Sequence, residues 1–260
     1  MGEGEIKAIS QTLVNGLRVL EALADLGGGR RPVSLSELAA ATGFDRSTTH
    51  RHIGALRLLD YVTIDPTTGG YRLGFKLLYL ASHLLENLDL RRLARPHLQA
   101  LADATEETVF LVQRKGIEVV YIDRIDSNKS VRLASSIGGR NPLYCTGVGK
   151  AILAYEEPEV FDQVVAAGLT PRTPNTITDV VQLQAEMRVT RERGYSIDNV
   201  ENEPEVRCVG APVFDHLGHP IGAVSIAGPV TRMLPERLPE LGKLVRSAAD
   251  GISRQLGYRG

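Results

Sequence analysis

A chain of 260 residues is long enough for one large domain or two smaller ones, each with a core of its own. Its 30 Lys/Arg and 31 Asp/Glu nearly cancel, yet residues 28–76 carry seven basic and four acidic side chains, a local +3 that suits a polyanion partner. The start "MGEGEIKAISQTL" lacks a secretory n-region, no run approaches the roughly 18 apolar residues that span a bilayer, and the two cysteines lie far apart. These features exclude a membrane protein and a disulfide framework, and they predict a cytoplasmic protein with no metal or other cofactor.

Leu13, Leu17, Leu20 and Ala24 recur at helical spacing and predict a first amphipathic helix over 12–26, stopped by "GGGRRP". Ser34 with Glu37 three residues on forms the capping-box pattern of a second, short helix. Gly43 permits a sharp turn, and Asp45 is placed as the N-cap of a third helix through "RSTTHRHIGALRLL". Helix, tight turn, helix is the arrangement that lays its last helix in the DNA major groove, although a plain helical hairpin has the same outline.

The two faces of the third helix decide between those readings. Thr49, Ile53 and Leu56 share a core-facing stripe, while Ser47, His50, Arg51 and Gly54 form a donor-rich stripe with a small residue for close approach. Arg46 and Arg51 suit guanine edges or phosphates, and Ser47, Thr48 and Thr49 are short hydroxyls near a helix start. "YVTIDPTTGGYRLG" then reads as a hairpin wing, Tyr61 to Ile64 and Tyr71 to Leu73, with Arg72 in reach of a phosphate. The DNA-contacting set is therefore Ser34, Arg46, Ser47, Thr48, Thr49, His50, Arg51 and Arg72. Leu77, Leu80, Leu84 and Leu88 follow on a helix apolar enough to need a partner, either its own domain or its copy in a dimer.

The stretch "LSELAAATGFDRSTTHRHIGALRLLDYVTIDPTTGGYRLG" resembles the winged helix-turn-helix of the IclR family of bacterial transcriptional regulators. The likeness continues through "LARPHLQALADATEETVFLV", "GKAILA", "NTITD", "RERGYSIDNVE" and "GAPVFDHLGHPIGAVSIAGP", in family order. His52 and Thr49 stand where relatives usually carry apolar residues. The resemblance implies an α+β chain divided into a winged helix-turn-helix at 10–74, a linker and dimerisation helix at 75–90, and an effector-binding domain at 91–258 with a GAF-like antiparallel sheet.

The second part of the chain reads independently as antiparallel strands with helices around them. Strands are expected at Thr108 to Gln113, Glu118 to Arg124, Ser130 to Ser136, Tyr195 to Asn199, Val206 to Phe214 and Ile221 to Ala227. Helices are expected from Val148, from Val180 to Arg193, and along the C-terminal stretch ending in Ile252 and Leu256.

Catalytic constellations here are weak. "CTGVGKA" ends like a phosphate loop, but Tyr144 occupies the required glycine and Ala151 the required hydroxyl. Cys208 with Asp215 and His216 outlines a rival reading, a small-molecule hydrolase with an accessory helical domain. Asp215 and His216 fall in a turn, however, and "AVSIAG" lacks the glycine of a nucleophile elbow. A third reading is a sensor that recruits protein partners without DNA. "HLGH" is too short a pair to hold a metal by itself.

Thr146 and Gly147 precede a helix, so their N–H groups suit a carboxylate, with Lys150 either supplementing them or solvated. The IclR resemblance implies an effector pocket of Thr146, Gly147, Asp198, Cys208 and Ser225, with Val206 as an adjacent wall. Ala227 stands where many relatives carry a second hydroxyl, which implies a more apolar pocket. The expected protein is a repressor that binds double-stranded operator DNA as a homodimer or tetramer. Its expected effector is a small organic acid or carbonyl compound with a less polar body, aromatic rings included.

Overall fold

The computed structural model describes residues 10–27, 31–80, 89–129 and 136–260. Two compact units divide the chain, Met1–Leu88 and Asp89–Gly260. Among the described residues no helix is long and apolar enough to cross a membrane.

The first unit contains α1 (Gln11–Gly27), α2 (Leu35–Thr42), α3 (Arg46–Leu58) and a hairpin of β1 (Val62–Ile64) and β2 (Tyr71–Leu73). Both expected caps are present. Ser34 and Glu37 form a reciprocal capping box, and Gly43 closes α2 in the left-handed region at φ 71°. The hairpin pairs Val62 with Leu73, and a bridge from Val33 to Tyr71 ties it to the segment before α2. Val19, Leu23, Val33, Leu38, Ile53, Val62 and Tyr71 make the core.

The buried face of α1 differs from the expected one. Val19 and Leu23 point inward, whereas Leu13 and Leu17 are 63% and 49% exposed. The helix is apolar on two sides, and α2 and α3 cover only one of them. Leu13, Leu17 and Leu20 instead line a groove with Leu56, Leu59, Leu77 and Leu80. His52 is buried, with its ring centroid 6.1 Å from that of Phe44, so it fills the place of an apolar residue. Residues 76–80 are helical, and the expected positions Leu84 and Leu88 lie outside the described residues.

The second unit is built on an antiparallel sheet of order β5-β4-β3-β8-β7-β6. Its strands are β3 (Thr108–Lys115), β4 (Glu118–Ile125), β5 (Arg140–Pro142), β6 (Ser196–Asn199), β7 (Val206–Phe214) and β8 (Pro220–Pro229). Alternation along each strand supplies both faces: on β3, Val109 and Leu111 join one core and Phe110 and Val112 the other. The first face packs against α4 (Leu90–Thr105) and the C-terminal α8 (Leu238–Gln255). The opposite face is covered by α5 (Gly147–Leu153), α6 (Pro158–Ala166) and α7 (Val180–Arg193).

Helices on both faces of an antiparallel sheet give the expected α+β class. Helices α4 and α6 have no counterpart among the elements expected from spacing, while the expected strand Ser130 to Ser136 lies outside the described residues except for Ser136, which is in no strand.

Candidate functional site

In the first unit α3 is held at its start by Asp45. Its carboxylate accepts the Thr48 N–H at 2.9 Å and the Thr48 hydroxyl at 2.7 Å, and these bonds hold its carboxyl below the usual carboxylate range. The helix so anchored leaves Arg46, Ser47, His50, Arg51 and Gly54 exposed. Gly54 has open space where a β-carbon would stand, so another molecule's backbone or phosphate can approach closely.

Four of the expected contacts need correction or are already engaged. Thr49 is buried and donates its hydroxyl to the Asp45 carbonyl at 2.9 Å, because the periodicity that exposes His50 turns it into the core. The Thr48 hydroxyl belongs to the Asp45 cap. Ser34 is exposed, but its hydroxyl donates to Glu37 at 2.8 Å, and Glu37 is held down to about 2 chiefly by the Ser34 N–H. Arg72 pairs with Asp65 of the wing turn at 2.9 Å. The unengaged row is Arg46, Ser47, His50 and Arg51.

In the second unit Thr146, Gly147, Asp198, Val206, Cys208 and Ser225 line one cavity, together with Phe110, Tyr121, Val148, Asn202, Glu203 and Ala227. Strand register explains the convergence. Asp198 on β6 faces Cys208 on β7, which faces Ala227 on β8. One step along, Gly210 faces Ser225 and Ser225 faces Phe110 on β3. Two adjacent rows across the sheet thus form the floor, and α5 lies over it.

Its glycines fit that close contact and not a phosphate. A β-carbon on Gly147 would lie 2.6 Å from the Cys208 sulfur, and one on Gly210 would lie 2.7 Å from the Gly147 carbonyl carbon. Thr146 is the N-cap of α5: its hydroxyl accepts the Gly149 N–H at 2.9 Å and donates to the Pro142 carbonyl at 3.0 Å. The cavity measures about 30 Å³, roughly the share of one water in the liquid.

Lys150 is neither solvated nor placed at the cavity wall. Its side chain is wholly buried, with Nζ 2.5 Å from Glu201 and 3.6 Å from Glu186, and Glu186 is also held by Arg193 at 2.8 Å. The second Glu201 oxygen, Oε2, is buried without a hydrogen-bond partner, and burial raises this carboxyl despite Lys150. Asp198, beside it, accepts the Glu201 N–H at 2.7 Å and is pushed up to about 7, mainly by burial. Sequence spacing gave no sign of Glu201, Asn202 or Glu203; they arrive through the loop between β6 and β7, and Glu201 is 51 positions from the lysine it meets.

The chemistry available here is binding. Cys208 is pushed up to about 12 by burial, so it stands as a neutral thiol, which is a poor nucleophile. Asp215 and His216 lie in the turn beyond Phe214, six residues along the strand from Cys208, too far for a relay. Among the described residues no group of three or more His, Cys, Asp or Glu side chains is placed to hold a metal.

Comparison with known proteins finds two family matches along the chain. Residues 12–66 match the IclR helix-turn-helix domain and residues 82–254 the family described as bacterial transcriptional regulator IclR C-terminal. The chain is similar to the HTH-type transcriptional regulator KdgR of Escherichia coli K12, 36% identical over 241 residues that cover 92% of this chain and 90% of the relative. It is 34% identical over 252 residues to the HTH-type transcriptional repressor AllR of Klebsiella pneumoniae, covering 96% and 91%. Among solved structures, the Agobacterium tumefaciens repressor BlcR superposes with a TM-score of 0.75 at 29% identity, covering 96% of this chain and 98% of that one. Matches to both parts of the chain and relatives named as transcriptional regulators favour the regulator over the hydrolase reading. The chain belongs to the IclR family of bacterial DNA-binding transcriptional regulators.

Proposed function

We propose that this regulator is a cytoplasmic repressor that binds operator DNA through Arg46, Ser47, His50 and Arg51 of α3 and responds to a small organic acid or carbonyl compound in the cavity beneath α5. The observation that carries the effector reading is the convergence of Thr146, Gly147, Asp198, Val206, Cys208 and Ser225 on one cavity. At about 30 Å³ that cavity is far below the roughly 300 Å³ of a typical ligand site, so the effector has to enlarge it. The floor is a hydrogen-bonded ladder, and enlargement falls on the opposite wall, formed by α5 and the loop after β6. A ligand that binds the enlarged form alone shifts the equilibrium between DNA-competent and incompetent arrangements by its differential affinity.

The groove lined by Leu13, Leu17, Leu20, Leu56, Leu59, Leu77 and Leu80 supports assembly as a dimer or tetramer, since an apolar surface of that kind is usually covered. A dimer would also set two copies of α3 about one helical turn apart on DNA. The test is selection of duplexes from a random pool, with and without a panel of organic acids and carbonyl compounds. Enrichment of an inverted repeat that one compound class abolishes is the expected result. No enrichment, or enrichment indifferent to every compound, overturns the reading.

A further inference from the structure

Asp198 and Glu203 are among the residues that line the proposed effector cavity, and no lysine or arginine is. Asp198 is 4% exposed and, among the described residues, forms no ion pair. The buried charges beside it are already matched: Lys150 meets Glu201, and Arg193 meets Glu186. That leaves two acids on the wall without a cation, the half-buried Glu203 and the buried Asp198, whose Oδ1 accepts the Glu201 N–H at 2.7 Å.

The titratable groups around Asp198 reinforce this imbalance. Glu201 and Glu203 follow on its own chain, Lys150 approaches from α5 and Cys145 from the segment before it, Cys208 from β7, and Tyr121 from β4. Two cations lie near that set: Lys150, which Glu201 holds, and Arg172, which donates to the Asn202 carbonyl at 3.3 Å and forms no ion pair with Asp198. An ionised organic acid entering here would bring another negative charge into a cavity where the dielectric is low and no cationic side chain lines the wall, the N–H groups that open α5 offering partial positive charge alone.

We infer, on the basis of the effector reading above, that Asp198 is a specificity-determining residue that carries a proton in the effector complex and donates it in a hydrogen bond to a carboxylate or carbonyl oxygen of the ligand. The proton comes from solvent and is shared by the pair, and no covalent bond forms or breaks. An organic acid therefore binds with uptake of one proton wherever free Asp198 is ionised, and a neutral carbonyl compound needs the same protonated Asp198. Burial already prepares the residue for this role, since it moves the Asp198 carboxyl up to about 7 in the empty cavity.

The test uses the full chain and a panel of short and aromatic carboxylic acids. Calorimetry between about pH 6 and about pH 8, in two buffers of different ionisation enthalpy, is expected to show proton uptake and an affinity falling about tenfold per pH unit once Asp198 is ionised. Asp198→Asn, whose amide donates without titrating, is expected to keep acid binding and lose the slope. Carboxyl-carbon NMR, with Asp198→Asn identifying the resonance, is expected to show titration near neutrality. Acid binding without proton uptake, a slope that survives in Asp198→Asn, or titration in the ordinary aspartate range overturns the inference. The cavity-filling variant Ala227→Phe separates the two ideas: acids that bind wild type and this variant alike show that the pocket reading is wrong. Acids that lose binding in the variant but show no proton uptake show that only the role of Asp198 is wrong. If no acid binds the wild type, both fall.

Discussion

The backbone of Gly147 rests on the side chain of Cys208, so that a β-carbon added to the glycine would stand 2.6 Å from the sulfur. Helix α5 therefore begins in contact with β7, and the space between them is set by a missing side chain. Gly147→Ala is expected to push α5 off the sheet at a cost of about 1–3 kcal/mol. Gly210→Ala meets the Gly147 backbone itself and is expected to cost more. Urea unfolding of both variants checks the order; equal stability of Gly210→Ala and wild type would contradict the packing.

Operator recognition separates two neighbouring positions on α3. Arg51→Ala is expected to reduce operator discrimination by about 1–3 kcal/mol and to flatten the salt dependence of binding. Thr49→Val removes a buried hydroxyl bonded to the Asp45 carbonyl and is expected to cost about 1 kcal/mol of stability without altering operator preference. Competition binding with operator and random duplexes, alongside thermal melts, distinguishes them.

These two residues also mark how far the sequence could be read. Caps and turns are local: Ser34 with Glu37, Gly43 and Asp45 declare themselves within four residues, and each is found as expected. Faces are not local. The leucines of α1 keep perfect helical spacing, yet Val19 and Leu23 are the ones α2 and α3 cover, and Thr49 belonged to both the core stripe and the hydroxyl cluster. The shared cavity of Asp198, Cys208 and Ser225 was legible through family resemblance alone, since they lie on separate strands that the register brings together. The acids beside them, Glu201 and Glu203, sit in a loop whose course no periodicity foretells.

Lys150 supplies a sharper stability test. Lys150→Met strips the buried Glu201 carboxylate of its counter-ion, and breaking a buried pair in this way costs about 3–5 kcal/mol. The double variant Lys150→Met with Glu201→Gln is expected to recover much of the loss, because the uncompensated charge is gone. Chemical unfolding of the single and double variants measures the difference; a double variant no more stable than Lys150→Met would show that packing, not charge, sets the cost.

Asp198 predicts a pH dependence in the absence of any ligand. Its folded value of about 7 lies above the ordinary aspartate value of 3.8, so between these limits the folded chain holds a proton that the unfolded chain has lost. Its contribution to stability is full below the lower value and is lost as pH rises through the upper one. Asp198→Asn is expected to melt several degrees above wild type near about pH 8, with the gap closing toward about pH 4. Melting curves across that range check the sign, and a gap that widens on acidification would reverse it.

The two rows of paired residues that floor the cavity, Asp198 with Cys208 and Ala227, and Gly210 with Ser225 and Phe110, have a consequence for substitution. Ladder bonds belong to the backbone, so a side chain at 225 or 227 can be exchanged without breaking the ladder, whereas Asp198 also holds the Glu201 N–H and Cys208 also carries Gly147. The lining of the cavity can thus be altered one residue at a time while the sheet keeps its register.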